Sequence, residues 1–293
     1  MTKTAWVFPG QGSQALGMGV DVANLPIAQE KYAAAETILG WSVLDICTNA
    51  EDKLTSSLYT QPSLYVVESI LVDLMRDRHQ QPDLVAGHSL GEYVALYAAG
   101  VFDFAAGLQL VKYRAELMNT VAGGQMTALI GFNREQLDAQ ISATPDVVLA
   151  NDNSDGQVVI SGTPEAVESV IAAIKVKRAV KLNVAGAYHS PFMEPAQAEF
   201  QKALDAVPFT DAIVPVLSNT DPTPETKAEA LKQRLSRQMT GSVRWREIML
   251  QLPQEGIESV IEIGPGKVLA NLIKRACSDL AVTNVSTAAD LPA

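Results

Sequence analysis

Short apolar runs alternate with stretches of helical spacing for most of this chain, the pattern of an α/β protein. Thr4-Ala5-Trp6-Val7-Phe8 is a strand-like run. It ends in Pro9-Gly10-Gln11-Gly12-Ser13-Gln14, a loop of backbone-flexible residues. Leu64, Val67, Leu71 and Leu74 keep helical spacing and predict a helix over 62–78, with Pro62 suited to its first position. The apolar run 84–86 leads into Gly87-His88-Ser89-Leu90-Gly91, and a helical pattern follows over 90–99 until Gly100 stops it. A long helix is predicted over 103–122.

Gly123-Gly124 reads as a hinge, and beyond it the pattern tightens. A strand is predicted over 126–130 and a helix over 134–142, capped by Asn133. Strands over 147–150 and 157–161 are joined by a polar turn. Thr163-Pro164 starts a helix over 164–175, and a strand follows over 179–184. The order β-α-β-β-α-β is that of a ferredoxin-like unit. The larger pattern then resumes, with strands over 214–217 and 260–263 and helices over 193–206, 227–238 and 244–252. Ile263-Gly264-Pro265-Gly266 reads as another tight strand-to-helix turn. The expectation is a large α/β-hydrolase-like domain with a mostly parallel sheet, from residues 1–124 and 188–293. A small ferredoxin-like (βαββαβ) domain, 125–187, is inserted into it.

Composition narrows the class. The 293 residues can bury one large core or two modest ones. No apolar stretch is long enough for a bilayer, and no basic-then-apolar leader opens the chain, so neither membrane insertion nor secretion is expected. The two cysteines, Cys47 and Cys277, suggest neither a metal site nor a disulfide framework, which fits the reducing cytoplasm. A net charge of −11 argues against nucleic acid as the main ligand. Nothing demands more than a monomer.

Gly87-His88-Ser89-Leu90-Gly91 has the form of a nucleophile elbow, in which a sharp strand-to-helix turn lifts one serine hydroxyl clear of the sheet. Side chains at the two glycines would meet the flanking backbone. The amide after the serine sits at a helix N-terminus, where free N–H groups can hold a developing oxyanion. The same string also suits a glycine-flanked turn with a capping serine. A catalytic serine needs a base, and three histidines are available. His79 lies in a polar helix end. His88 adjoins Ser89 and should leave the turn in another direction. His189, in Tyr188-His189-Ser190-Pro191, falls where the chain re-enters the large domain, at the cleft; the alternative is a structural histidine bonded to backbone.

The helix over 103–122 carries a further clue. Phe104, Leu108, Val111, Ala115 and Met118 form its apolar stripe, and Gln109, Lys112, Glu116 and Asn119 its polar face. Arg114 falls within the widened apolar arc, where an unpaired guanidinium is costly. Its partner is either an internal carboxylate or one carried by a substrate, which arginine grips through two parallel hydrogen bonds.

These motifs occur in order with Gly156-Gln157-Val158-Val159-Ile160-Ser161-Gly162 and Glu262-Ile263-Gly264-Pro265-Gly266. Jointly they resemble the malonyl-CoA:acyl carrier protein transacylases of fatty-acid synthesis over nearly the whole length. The resemblance implies ping-pong transfer from malonyl-CoA to acyl carrier protein, with Ser89 as nucleophile, His189 as base and no cofactor or metal. It implies an oxyanion hole from the backbone amides of Gln11 and Leu90, and Arg114 on the malonyl carboxylate. The main chain of Gln238 would orient the histidine. Tyr188 would crowd the α-carbon against methylmalonyl groups. Asn151 and Asn153 match a polar turn near the cleft and are left outside the catalytic set. Acyl carrier proteins are acidic, as is this chain, so docking requires local basic patches. The candidates are Lys175, Lys177, Arg178 and Lys181 in the small domain, and Lys267, Lys274 and Arg275 near the C-terminus. A serine esterase with the same elbow and a non-catalytic carrier scaffold are the competing classes.

Overall fold

The computed structural model describes residues 2–292. Five strands form one sheet in the order β7-β2-β1-β8-β9: β1 (Thr4–Phe8), β2 (Leu84–Gly87), β7 (Val216–Leu217), β8 (Ser259–Ile263) and β9 (Ala281–Val285). Every neighbouring pair in it is parallel. Both faces are covered, so β1 and β2 read as continuous apolar runs without alternation. Trp6, Phe8 and Val85 point into one core cluster, with α3 (Ser57–Asp77), α4 (Gly91–Ala98) and α5 (Phe104–Thr120). Ala5, Val7, Leu84 and Ala86 point into the other, with α10 (Trp245–Gln254) and α11 (Val268–Ala276). Two further helices, α1 (Pro26–Leu39) and α2 (Val43–Asn49), pack on the first face.

The second sheet is antiparallel, in the order β4-β5-β3-β6. Along the chain its elements run β3 (Gln125–Phe132), α6 (Arg134–Ala143), β4 (Val147–Ser154), β5 (Gln157–Gly162), α7 (Pro164–Ala173) and β6 (Val176–Lys181). Leu129, Val158 and Ile160 pack on α6 and α7. Met126, Ala128 and Val159 turn the other way and join the large core, so the sheet is half-buried against the first unit. Asn133 and Thr163 cap α6 and α7 by accepting from Gln136 N and Ala166 N, as their sequence contexts predict. The segment after β6 carries His189 to the 3-10 turn Pro191–Met193, and α8 (Glu194–Ala206) and α9 (Ala228–Arg237) follow.

Several predicted boundaries move; β4, for one, runs on to Ser154 through residues expected to form a turn. Helix α3 starts at Ser57, so Pro62 lies inside it rather than at its first position. The missing N–H forfeits one bond to the first turn. Burial of Ser57, Thr60 and Gln61, and the donation of Thr60 Oγ1 to Ser56 O, hold that turn regardless. The last strand of the small sheet is Val176–Lys181, not 179–184. Its register against β3, from Phe132↔Val176 to Thr127↔Lys181, puts the basic residues on a sheet edge, where charge is tolerated. Leu182 and Val184 leave the sheet and line the cleft.

Candidate active site

The elbow is built by close backbone approach. A Cβ on Gly87 would lie 2.0 Å from the Gly91 carbonyl carbon, and one on Gly91 would lie 2.1 Å from Phe8 O. Only glycine lets β1, β2 and α4 meet this tightly. Ser89 is thereby held at φ +52°, a left-handed conformation that non-glycine residues avoid. His189 is held at φ +55°. Such outliers cluster at functional sites, where the surroundings over-determine them.

These two residues meet. Ser89 Oγ donates to His189 Nε2 at 2.8 Å. On the far side of the ring both neighbours are carbonyls, Gln238 O at 2.9 Å and Gly241 O at 3.1 Å, so Nδ1 carries the hydrogen and Nε2 is free to accept. Among the described residues, no carboxylate bonds to the histidine. Burial, with the Arg114 charge second, pushes the His189 pKa down to about 3, so the ring is neutral at physiological pH. His88 points elsewhere: its Nε2 donates to Asn153 Oδ1 at 2.8 Å, and its ring meets Trp245 edge-on. His79 is exposed at the end of α3.

Arg114 is 1% exposed and reaches the same point. Its Nη2 donates to Ser89 Oγ at 3.1 Å and to Gln238 Oε1 at 3.3 Å, and its Nη1 to Gln61 Oε1 at 2.5 Å. Among the described residues no carboxylate lies within salt-bridge distance of it, and its Nε has no acceptor. Of the two partners open to it, the internal carboxylate is absent. Burial lowers its pKa, but a guanidinium remains charged.

A cavity of about 80 Å³ opens at this cluster, lined by Gln11, Gln61, Ser89, Leu90, Arg114, Tyr188 and His189 among others. Gly10 is pressed onto the elbow, its Cβ position 2.4 Å from His88 O, which brings the Gln11 loop against Leu90. A second cavity of about 180 Å³ continues past His88, between the Gln11 loop, Asn151, Asn153 and the start of α11. Among the described residues no three His, Cys, Asp or Glu side chains gather as metal ligands, and no helix is long and apolar enough to cross a membrane. Lys175, Lys177, Arg178 and Lys181 are exposed on or beside edge strand β6, and Lys267, Lys274 and Arg275 on or beside α11. Ile130, which pairs with Arg178 on β6, lines one groove with Arg275 of α11.

Three members of the cluster escape sequence reasoning. Asn219 accepts from Ser89 N at 2.7 Å and donates to Gly87 O, bracing the elbow from the end of β7; nothing in its sequence context marks it. Gln61 lies just before the helix predicted from Pro62, and only the earlier start of α3 at Ser57 brings it onto that helix. Glu92 is fully buried, and its Oε2 accepts from Gln238 Nε2 at 2.8 Å and Asn219 N at 3.2 Å. An acidic residue in the first turn of a helix reads as a helix-end charge, and that concealed its role as the site's internal acceptor.

A parallel α/β sheet that presents a serine–histidine pair at a glycine elbow is the framework of an acyl-transfer protein. The acyl transferase domain family matches residues 5–293, and the chain belongs to it. Within that family it groups with the malonyl-CoA:acyl carrier protein transacylases. It is 57% identical over 289 residues to the malonyl CoA-acyl carrier protein transacylase of Synechocystis sp., covering 99% of each chain. The enzyme of the same name from Escherichia coli is 38% identical, with 94% of this chain and 93% of that one covered. The crystal structure of the Synechocystis transacylase matches with a TM-score of 0.97 at 56% identity, over 98% of each chain. A malonyl-transacylase solved in complex with a type II polyketide acyl carrier protein matches at 0.93 and 36% identity, over 99% of this chain and 97% of that one.

Proposed function

We propose that this protein transfers a malonyl group from malonyl-CoA to the phosphopantetheine thiol of acyl carrier protein, supplying fatty-acid synthesis in the cytoplasm. The observation that carries the reading is Arg114: a buried guanidinium, without a carboxylate partner among the described residues, 3.1 Å from the Ser89 hydroxyl. An uncharged acyl chain would leave that charge unanswered, whereas a malonyl carboxylate completes it.

The reaction is ping-pong. Ser89 Oγ attacks the thioester carbonyl as His189 Nε2 takes its proton. The amides of Gln11 and Leu90 hold the oxyanion. The intermediate collapses to malonyl-Ser89, and CoA leaves as the thiol with the proton from His189. The carrier thiol then gives its proton to His189 and attacks the ester, and the proton returns to Ser89 Oγ. The Gln238 and Gly241 carbonyls, 2.9 and 3.1 Å from Nδ1, favour the tautomer this cycle needs and stabilise the imidazolium. Tyr188, buried against the cavity, crowds the α-carbon of the acyl group. In architectural terms we read the parallel unit (1–124 and 188–293) as hydrolase-like and 125–187 as an inserted ferredoxin-like domain, with the strand order β4-β5-β3-β6 in support. The basic residues on β6 and α11 supply the docking edge for the acidic carrier.

The deciding experiment incubates the protein with malonyl-, methylmalonyl-, acetyl- and butyryl-CoA, with and without acyl carrier protein, and reads intact masses. A malonyl adduct on the wild type, absent in Ser89→Ala and discharged by carrier protein, is expected. Adduct persisting in Ser89→Ala removes Ser89 from its role, and discharge to water alone makes the protein a hydrolase.

A further inference from the structure

The carbonyls that hold His189 belong to a segment, residues 238–246, that is fastened at both ends. At one end Gln238 N and Gly241 N donate back to Leu235 O and Arg237 O of α9. At the other end Val243 forms an isolated parallel bridge with Asn151 of β4. Val243 N donates to Ala150 O at 2.8 Å, and Asp152 N donates to Val243 O at 2.9 Å. The small sheet thus grips the large unit two residues from the Gly241 carbonyl.

Asp152 turns this grip into a clamp. Strand β4 shifts register against β5 on either side of it, between Leu149 and Asn151 and between Asp152 and Ser154. Asn151 and Asn153 line the cavity beside His88, while the Asp152 side chain is only 6% exposed and lines neither cavity. Its Oδ1 accepts from Arg134 Nη1 of α6 at 3.0 Å. Its Oδ2 accepts from Arg134 Nη2 and from Arg246 Nε of α10, each at 3.2 Å. One buried carboxylate therefore ties α6, β4 and the first turn of α10, and a carboxylate so enclosed has little freedom to shift.

We infer that Asp152 is a positioning residue for the Ser89–His189 pair, acting through Val243 and Gly241 on the Nδ1 side of the histidine. The inference rests on the reading of Ser89 as nucleophile and His189 as its base. If the Gly241 and Gln238 carbonyls drift, the ring can tilt or exchange tautomers, and either change takes Nε2 off the serine hydroxyl. A misplacement of about 1 Å in such a constellation costs on the order of 10²-fold in rate.

The test uses the full chain and a small phosphonofluoridate that reacts with activated serines, with kinact and KI measured separately and thermal unfolding as control. The wild type is expected to label at Ser89. Asp152→Ala and Arg246→Ala are each expected to lower kinact at least about tenfold with KI little changed. Arg246→Lys, which keeps a cation on Asp152, is expected to recover most of the loss. Arg246→Ala carries the test should Asp152→Ala not fold, because Arg134 still pairs the carboxylate. Unlabelled wild type overturns the nucleophile reading and the clamp with it. Wild-type labelling rates in the folded variants overturn the clamp alone. So does a loss that Arg246→Lys fails to recover, since that marks a structural role without positioning.

Discussion

Replacing Arg114 by alanine should separate malonyl from acetyl transfer. The guanidinium faces Ser89 with Nη2, and its adjacent Nε has no acceptor among the described residues, so a carboxylate that takes Nε and displaces one of the two Nη2 bonds, to Ser89 Oγ or Gln238 Oε1, is gripped by two prongs. A hydrogen bond to a charged group contributes about 1.5–3 kcal/mol. Two of them amount to about 3–6 kcal/mol, or about 10²–10⁴ in kcat/KM at ~1.4 kcal/mol per decade. Acetyl-CoA has no carboxylate to lose. It forfeits only the 3.1 Å bond from Arg114 to Ser89 Oγ, a loss on the order of tenfold or less. The assay measures transfer of radiolabelled acyl groups to carrier protein over a range of both acyl-CoAs, with circular dichroism confirming the fold. Arg114→Lys should fall between, because an ammonium cannot fork. Equal losses for malonyl and acetyl groups would show that Arg114 serves the serine and not the substrate, and the specificity argument would fail.

Other expectations follow from single contacts. Gly91→Ala places a methyl group 2.1 Å from Phe8 O, so the variant should lose more than ~3 kcal/mol of stability or fail to fold; a denaturation midpoint like that of the parent refutes the close approach. His189 titrates at about 3 when folded, against an ordinary 6.5, so the unfolded chain binds a proton that the folded one lacks. Stability should therefore fall as pH drops through this window, by up to ~1.4 kcal/mol per unit, and His189→Gln should shallow the decline seen in urea titrations. A slope unchanged by that substitution contradicts the depressed pKa. Reversing charge at Lys177 and Arg178, both exposed on β6, should raise the KM for carrier protein and leave that for malonyl-CoA unchanged. An unaltered carrier KM dismisses that edge.

Much of this was legible because it rests on local rules. The elbow is written in two glycines, and the alternation of cores across β1 in its unbroken apolar run. The misplaced Arg114 follows from 3.6-residue periodicity alone. What stayed hidden depends on distant chain meeting distant chain. Asn219 braces Ser89 across 130 positions, and the Gln238 side chain reaches Ser89 O across 149. Helix α1 buries alanines and Lys31 along its stripe, and α2 is only seven residues long, so neither stands out as an apolar pattern. Strand β6 lies three residues before the run that looks most strand-like, because the apolar residues Leu182 and Val184 serve the cleft while the basic residues Lys177 and Lys181 serve a sheet edge.

The hidden residues also account for how a buried cation waits beside a nucleophile. Arg114 and Glu92 belong to one buried polar cluster yet do not touch, and burial pushes the Glu92 carboxyl above its usual range. The Gln238 side chain stands between them, its Oε1 accepting from Arg114 at 3.3 Å and its Nε2 donating to Glu92 at 2.8 Å. The amide dipole relays part of the compensation without cancelling the charge, so the arginine stays soluble in the core and still lacks a carboxylate. A direct ion pair would be more stable and would leave nothing for a substrate to complete. The same glutamine uses its main-chain carbonyl to hold His189 Nδ1 at 2.9 Å. One residue thus favours the histidine tautomer with its backbone and steadies the arginine with its side chain. Substitutions at Gln238 should consequently spare the first function and damage the second, showing as lost malonyl selectivity before lost serine reactivity.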